Sequence, residues 1–453
     1  MSSAVVTEHQ AQERIHEYGG CNYNVRRGKG RVFDMHCRIA LVLMLFAVTA
    51  APALASRPIV YTDVPIERLL NNLEHDANTP RHVNDLALLE FQIGRLHEMA
   101  FAMKTVTETV KTTNGTPGVL SIPRNFAVRP SRNAAEEAMA QQHLREAIRH
   151  LKKAVALLEE AKKTPRDGFV TSEYLLLSRL GLAWCLLQER KDSEAIAAYW
   201  QVFVQAFEAS RPERTDNSFR DRDAHIAREA GLELKEALRR TSSDPSGLHD
   251  LELKLKKLPS TTPGPQVRRL ISPIVIPLTA ATKPSQLLQN ISVKFDLDGL
   301  GKRPFAPWPT VRAGWLVYDV EDNHRITSGL QLFGNVTFWV FWRDGYKALS
   351  ALDDNHDGRL SGAELRGLAV WLDKDSNGVS EAGEVKPLKL LGIKSLAVVS
   401  KMHPSGVLYS PHGVTFSSGV TRPTYDFVLT DRSRGNSFET LAWHRITATV
   451  GRK

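Results

Sequence analysis

The spacing of apolar side chains divides the chain into two kinds of sequence. From about Val64 to Arg240, apolar residues recur every three or four positions, which is the period of one face of an α-helix. Pro165 and Gly168 interrupt this pattern, so we expect separate helices packed on their neighbours and not one long coiled coil. The clearest helical stretch, LREAIRHLKKAVALLEEA, carries a continuous apolar seam formed by Leu144, Ile148, Leu151, Val155 and Leu158.

The pattern changes after Thr241. Between Thr241 and Gln289 the chain is rich in proline, serine and glycine, and ISPIVIPL is apolar yet holds two prolines, which restricts it to an edge strand or extended packing. From Ile291 onward, short runs such as GWLVYDV, SLAVVS and TYDFVL predict strands. The predicted fold class is therefore α+β. We expect a helical-hairpin domain at 56–240, a proline-rich linker or docking strap at 241–290, and a mixed α+β domain at 291–453.

The segment from Tyr174 to Phe203 resembles a tetratricopeptide repeat. Two predicted helices meet there at a polar turn, although Arg190 stands where the repeat usually has a turn glycine and no period of about 34 residues recurs. The resemblance implies a domain that holds an unidentified protein or envelope partner and does no chemistry. The residues that match the packing positions of such repeats are Leu182, Ala183, Leu186, Ala195 and Tyr199.

A leader is predicted at the N-terminus. Residues 39–50, IALVLMLFAVTA, are apolar, follow several arginines, and precede the A-x-A cleavage pattern that ends at Ala55. Met35 to Ala55 forms a complete signal by itself, so Met35 is a candidate start. We expect residues 1–55 to be a Sec-type signal peptide cleaved after Ala55, which places the mature protein in the periplasm or outside the cell. The run is too short to span a bilayer, and no later run approaches the length of a membrane span.

Composition excludes some partners. Hydrophobic residues make up 42% and charged residues 24% of the 453 residues, as in ordinary globular proteins. The net charge of +9 is spread thinly and forms no dense basic stripe with interleaved aromatics, so nucleic-acid binding is not predicted. Of three cysteines only Cys185 remains once the leader is removed, so stability must come from core packing or from metal.

One acidic loop lies within LDDNHDGRLSGAEL. Calcium takes six to eight oxygen ligands, and a twelve-residue loop can supply them when alternate side chains point inward. Gly358 provides the sharp turn at position 6. The predicted ligands are the side chains of Asp353, Asn355 and Asp357, the carbonyl of Arg359, Ser361 through a water, and both carboxylate oxygens of Glu364.

A second loop, DKDSNGVSEAGE, begins twenty residues later and repeats the pattern. Both loops satisfy D-x-[DN]-x-[DN]-G-x5-E. Between Arg343 and Val385 there are nine acidic against five basic residues, and a divalent cation would relieve their repulsion. The alternative is that these residues form Asx turns without a metal. The predicted ligands of the second loop are Asp373, Asp375, Asn377, the carbonyl of Val379, Glu381 and Glu384, with Gly378 at the turn.

Both loops resemble the calcium loops of EF-hands, which implies two bound Ca²⁺ ions. Only Leu365 to Leu372 separates them, so we expect one short helix to leave the first loop and enter the second. Ser380 occupies position 8 of the second loop, where an aliphatic residue normally pairs the loops. These departures favour a compact structural calcium clip over a calmodulin-like sensor.

A wider stretch, roughly Val293 to Val398, resembles the C-terminal region of secreted bacterial EF-hand proteins. It carries FDLDG, then a degenerate third loop, an LFG turn and the paired loops. The resemblance implies calcium binding and export. The degenerate loop has His324 in place of the glycine and Gln331 near its end, and its candidate ligands are Asp319, Glu321 and Asn323. Asp296 and Asp298 could complete that site from a neighbouring strand, but a hydrogen-bonded turn is the preferred interpretation of these two residues.

No catalytic residues are predicted. The chain contains neither G-x-S-x-G nor H-E-x-x-H, the signatures of serine hydrolases and zinc proteases. The expected function is that of an exported calcium-binding protein in which calcium supports a binding or scaffold surface. The alternative is a secreted hydrolase with structural calcium. Five tryptophans are expected in the core and not on a sugar-binding face: Trp308, Trp315, Trp339, Trp342 and Trp371.

Overall fold

The computed structural model describes residues 59–62, 64–79, 82–106, 110–113, 128–163, 168–211, 220–241, 244–258, 271–280, 283–297, 303 and 305–429. The expected leader at 1–55 and the candidate ligand Asp298 lie outside the described residues, so both stay predictions. No helix within these ranges is long and apolar enough to cross a membrane.

The first half of the described chain is helical, as the apolar spacing predicts. Consecutive helices pack against each other, and a short antiparallel pair of strands, β1 (Ile59–Thr62) and β2 (Val110–Thr113), flanks the first two. The turn between the helices that end at Gln188 and begin at Asp192 contains Arg190 with φ 65°, a left-handed conformation that glycine usually adopts. The helices are α1 (Ile66–Ala77), α2 (Val83–Met103), α3 (Ala134–Ala161), α4 (Gly168–Gln188), α5 (Asp192–Ala209), α6 (Arg220–Thr241) and α7 (Pro245–Lys257).

The second half is built on a nine-stranded antiparallel sheet, which confirms the mixed α+β class. Its strand order is β7-β10-β12-β13-β3-β6-β8-β9, with β11 paired to β12, while β4 and β5 form a separate pair. A short helix, α8 (Gly345–Ser350), leads into the first acidic loop. The strands are β3 (Ile274–Pro277), β4 (Leu288–Lys294), β5 (Phe305–Pro309), β6 (Ala313–Tyr318), β7 (Arg359–Ser361), β8 (Leu368–Trp371), β9 (Val385–Pro387), β10 (Ile393–Ala397), β11 (Lys401–Met402), β12 (Leu408–Phe416) and β13 (Thr421–Asp426).

One hydrophobic core joins the first helices to the sheet. It runs from Val64 in front of α1 to Leu429 after β13, whereas α4 to α7 close a second, smaller core around Phe203. The stretch 241–290 supplies helix α7 and strand β3, and the expected edge position of ISPIVIPL is wrong, because β3 pairs with β13 on one side and β6 on the other. All five tryptophans named above are buried in the first core.

The prediction of a short helix between the two acidic loops is wrong. After a 3-10 turn at Gly362–Leu365 the chain passes Gly367, with φ 80°, and enters strand β8. The run LAVW is buried at every position and pairs with β6, where Trp371 lies opposite Trp315. A continuous apolar run of this length is compatible with a buried strand or a helix, and pairing with β6 decides for the strand.

Candidate metal centre

The first acidic loop is closed by backbone N–H groups that donate to its end carboxylates. The Gly358 N–H donates to Asp353 Oδ2 at 2.9 Å, and the Asp354 N–H donates to Glu364 Oε1 at 2.9 Å. The Ser361 N–H donates to Glu364 Oε2 at 2.8 Å. These bonds fix the carboxylates at positions 1 and 12 against the loop backbone.

The second loop repeats each of these bonds at the equivalent position. The Gly378 N–H donates to Asp373 Oδ2 at 2.8 Å. The N–H groups of Lys374 and Glu381 donate to Glu384 Oε1 and Oε2, at 2.9 and 3.1 Å. Two stretches of different sequence therefore adopt one loop geometry, since only the residues that match the motif are shared.

The backbone explains why the motif needs its glycine. Positions 4 and 6 of both loops have positive φ: His356 (58°) and Gly358 (85°) in the first, Ser376 (59°) and Gly378 (74°) in the second. At Gly378 a Cβ atom would lie 2.7 Å from Val293 Cγ1. The sharp turn at position 6 is thus a feature of the described loops and not only of the motif.

The remaining predicted ligands lie along the same loops. Side-chain oxygens at positions 3 and 5 accept from backbone N–H groups two residues on, for example Asn355 Oδ1 from Asp357 and Asn377 Oδ1 from Val379. The Arg359 side chain turns away and donates to Ser395 and Thr415, both at 2.7 Å, so its charge does not compete with a cation. The role of these side chains as metal ligands stays a prediction.

The end carboxylates are buried: Asp353, Glu364, Asp373 and Glu384 are 4–7% exposed. Burial raises the pKa of Asp353, and repulsion from Glu364 adds to the shift. Burial likewise raises the pKa of Asp373. Asp353 Oδ1 is buried and has no hydrogen-bond partner among the described residues. A buried carboxylate oxygen without a donor is costly unless a cation satisfies it.

Carboxylates also converge in the second loop. One oxygen each from Asp373, Asp375 and Glu384 lies within 4.8 Å of the other two. Only oxygen ligands are present, and carboxylates with backbone and amide carbonyls suit a hard cation such as Ca²⁺. The same atoms also serve the Asx-turn alternative, because Asp375 and Asn377 accept backbone N–H bonds.

Two indole N–H groups reach the second loop from the tryptophan core. Trp308 Nε1 on β5 donates to Asp373 Oδ2 at 2.7 Å, and Trp371 Nε1 on β8 lies 3.4 Å from Glu384 Oε2. The two rings are edge-on, with centroids 5.4 Å apart. Sequence reasoning placed both tryptophans in the core but missed these contacts.

The first loop is contacted by two polar side chains of helix α1, whereas the second is contacted by indoles. Arg68 Nε donates to Asp354 Oδ1 at 2.7 Å, and its Nη2 donates to the carbonyls of Leu352 and Glu364. Asn72 Nδ2 donates to the Ala351 carbonyl at 3.0 Å and to Asp354 Oδ1 at 2.9 Å. We call Arg68 and Asn72 the α1 latch. The Asp354 carboxylate at position 2, which the motif ignores, is its anchor.

The degenerate loop has the same turn geometry with weaker ligands. Asp319 Oδ2 accepts from the His324 N–H at 3.1 Å, as Asp353 and Asp373 do from glycine. The His324 ring also contacts Asp319, at 3.1 Å from Nδ1, and so occupies one carboxylate oxygen. The carbonyl oxygen of Asp296 accepts from the Gly329 N–H at 2.7 Å. The imidazole thus bonds to the same carboxylate oxygen that accepts the position-6 N–H.

The elements around the loops differ from a helix–loop–helix. The first loop has helix α8 before it and a 3-10 turn after it, whereas the second lies between strands β8 and β9. Strand β7 of the first loop pairs with β10. Ser380 Oγ at position 8 of the second loop accepts from the Ile326 N–H at 2.8 Å, and Ile326 is position 8 of the degenerate loop.

Two comparisons with known proteins found similarity, and one of them locates it in this part of the chain. A family model described as "SPM domain" matches residues 284–422, which include both acidic loops and the degenerate loop. The chain is also similar to "Iron-regulated protein FrpA" of Neisseria meningitidis serogroup C, with 37% identity over 112 residues. That similarity covers 24% of this chain and 10% of the relative, so the chain spans a small part of the length of the relative it matches.

Proposed function

We propose that this is an exported calcium-binding protein in which two EF-hand-type loops each hold one Ca²⁺ ion and calcium acts structurally. The observation that carries the proposal is the set of equivalent hydrogen bonds that fixes buried carboxylates at positions 1 and 12 of both loops. Asp353 Oδ1, without a donor among the described residues, adds to it. In this proposal the loops keep the ligand positions of an EF-hand, but strands and a 3-10 turn replace most of the helices that flank an EF-hand loop.

A structural role for calcium fits the surroundings of the loops. The α1 latch contacts the first loop and two indole N–H groups contact the second, so each loop is held in place by the fold around it. Affinity in the range of extracellular modules, roughly 10⁻⁴–10⁻³ M, would suffice outside the cytosol. We propose that the rigidified sheet and the tetratricopeptide-like helices together present a surface to a protein partner of the cell envelope.

The test is a calcium titration of the purified chain by isothermal calorimetry. We expect two sites in the wild type and one in each of Glu364→Gln and Glu384→Gln, because each change removes a bidentate ligand. Glu208→Gln, an exposed change on α5, is the matched control and should keep both sites. No heat and no bound calcium at millimolar Ca²⁺ would leave the Asx-turn alternative.

Thermal or urea unfolding gives a second measure. A ligand at 100 times its dissociation constant stabilises the folded state by about 2.7 kcal/mol for each site. Calcium should therefore raise the free energy of unfolding of the wild type by about twice the increment seen in either variant. An equal increment in all three proteins would argue against two sites.

A further inference from the structure

A second group of metal-binding side chains lies in the helical part, apart from the acidic loops. It consists of Glu74 on α1, His97 on α2 and His150 on α3, and one ligand atom of each lies within 4.8 Å of the other two. No local motif announces this group, since each residue comes from a different helix. Packing of α1, α2 and α3 brings the three side chains together.

His97 is buried with one ring nitrogen engaged and one left over. Its Nδ1 lies 2.8 Å from Nδ1 of His143, so those two nitrogens form the hydrogen bond. Its Nε2 faces Glu74 Oε1 at 3.5 Å, a weak contact longer than the usual hydrogen bond, and the described residues offer it no other hydrogen-bond partner. A metal ion between this buried nitrogen and the Glu74 carboxylate would replace the weak contact with two ligand bonds.

His150 is held in the orientation that zinc ligands adopt. Its Nδ1 lies 2.6 Å from Glu90 Oε2, and the Glu90 side chain is 1% exposed. A carboxylate on one ring nitrogen fixes the tautomer so that the other nitrogen can bind a metal. That other nitrogen now contacts Arg149 Nη2 at 2.7 Å, but the Arg149 side chain is 59% exposed and can rotate into solvent.

Charge around the group also suits a cation. The ion pairs around the group join three carboxylates and two basic side chains, which sum to a net charge of −1. These residues are Glu74, Glu90 and Glu146, with Arg149 and Lys153.

We propose that Glu74, His97 and His150 bind a divalent transition-metal ion, Zn²⁺ in the first instance, while Glu90 and His143 orient the two imidazoles. Two imidazoles and one carboxylate form a donor set known from zinc sites that keep an open fourth position. The Glu74 side chain is 48% exposed, which puts that position at the solvent. Calcium prefers oxygen ligands, so this site and the acidic loops select different ions.

The experiment is a Zn²⁺ titration of the full chain by calorimetry, in buffer already saturated with Ca²⁺. Glu74→Gln and His150→Gln should each lose one equivalent of Zn²⁺. Glu90→Gln removes only an orienting partner and should weaken that equivalent by about 10- to 100-fold. His75→Gln is the control, because it disrupts a separate group, His75, Asp76 and His356, and should change nothing at the proposed site.

Glu74 is half-exposed, so Glu74→Gln keeps the test valid even where the buried variants fail to fold, and circular dichroism checks each of them. The proposal is overturned if the wild type binds no Zn²⁺, if Glu74→Gln binds it as the wild type does, or if His75→Gln loses it instead. Calcium binding by Glu74→Gln should equal that of the wild type, so this result does not depend on the calcium loops.

Discussion

Trp308→Phe tests whether the tryptophan core takes part in calcium binding. Trp308 is fully buried, packs edge-on against Phe295, Trp315 and Trp371, and donates its indole N–H to Asp373. Phenylalanine keeps an aromatic ring there but removes the donor. A hydrogen bond to a charged acceptor contributes about 1.5–3 kcal/mol, and the smaller ring adds a packing loss on the order of 1 kcal/mol.

We therefore expect Trp308→Phe to lower the free energy of unfolding by about 2.5–4 kcal/mol, which is the sum of those two terms. Loss of a hydrogen bond that orients a metal ligand typically weakens metal binding about 10- to 100-fold. The effect should be confined to the second loop, because Trp308 bonds to Asp373. Calcium titration in the Glu364→Gln background, where only the second loop is expected to bind, isolates that site.

Trp315→Phe is the matched control. Trp315 is also fully buried in the same aromatic cluster, and its Nε1 has no hydrogen-bond partner among the described residues. The two substitutions thus remove the same atoms, one set bonded to a proposed ligand and the other not. If both variants show equal calcium affinity at the second loop, the reasoning from the indole contact is refuted.

Three further changes test other parts of the structure. Arg68→Ala should lower the free energy of unfolding by about 1–2 kcal/mol and weaken only the first calcium site, as measured by urea unfolding and titration, since the α1 latch holds that loop. Gly378→Ala should lower the melting temperature more than Gly358→Ala does. Both substitutions place alanine at a positive φ, but only the Cβ atom at position 378 would clash, with Val293. Burial raises the pKa of the Asp426 carboxyl well above 3.8, so the folded state binds its proton more tightly than the unfolded state does. The free energy of unfolding should therefore fall as pH rises from 3.8 to the folded-state pKa, with a slope of up to about 1.4 kcal/mol per pH unit. Asp426→Asn should remove that slope in urea unfolding measured across this pH range.

Local sequence predicted what is local in the structure. Asp353 and Glu364 both accept from backbone N–H groups of their own twelve-residue loop, so these contacts join residues that are close in sequence. Helical spacing likewise predicted α3, where Leu144 and Leu151 are fully buried. These features depend on neighbours a few residues away, which a single sequence displays.

Contacts between distant segments could not be predicted. Arg68 precedes Asp354 by 286 residues and Trp308 precedes Asp373 by 65, so no spacing rule links them. The stretch after Leu365 was misassigned for the same reason. Its apolar run fits a helix or a strand, and only its pairing with β6, remote in sequence, selects the strand.

The structure also changes which loops belong together. The two acidic loops follow each other in sequence, yet in the described residues the position-8 contact of the second loop is made to Ile326 of the degenerate loop, and the first loop pairs with β10. An EF-hand pair owes its cooperativity to a direct bridge between its loops. Because that bridge joins the second loop to a loop whose imidazole takes up a carboxylate oxygen, the two proposed calcium sites are expected to bind independently. Each single-site variant should then change the calcium-binding free energy of the other site by no more than roughly 0.3–0.5 kcal/mol, the deviation that independent sites show.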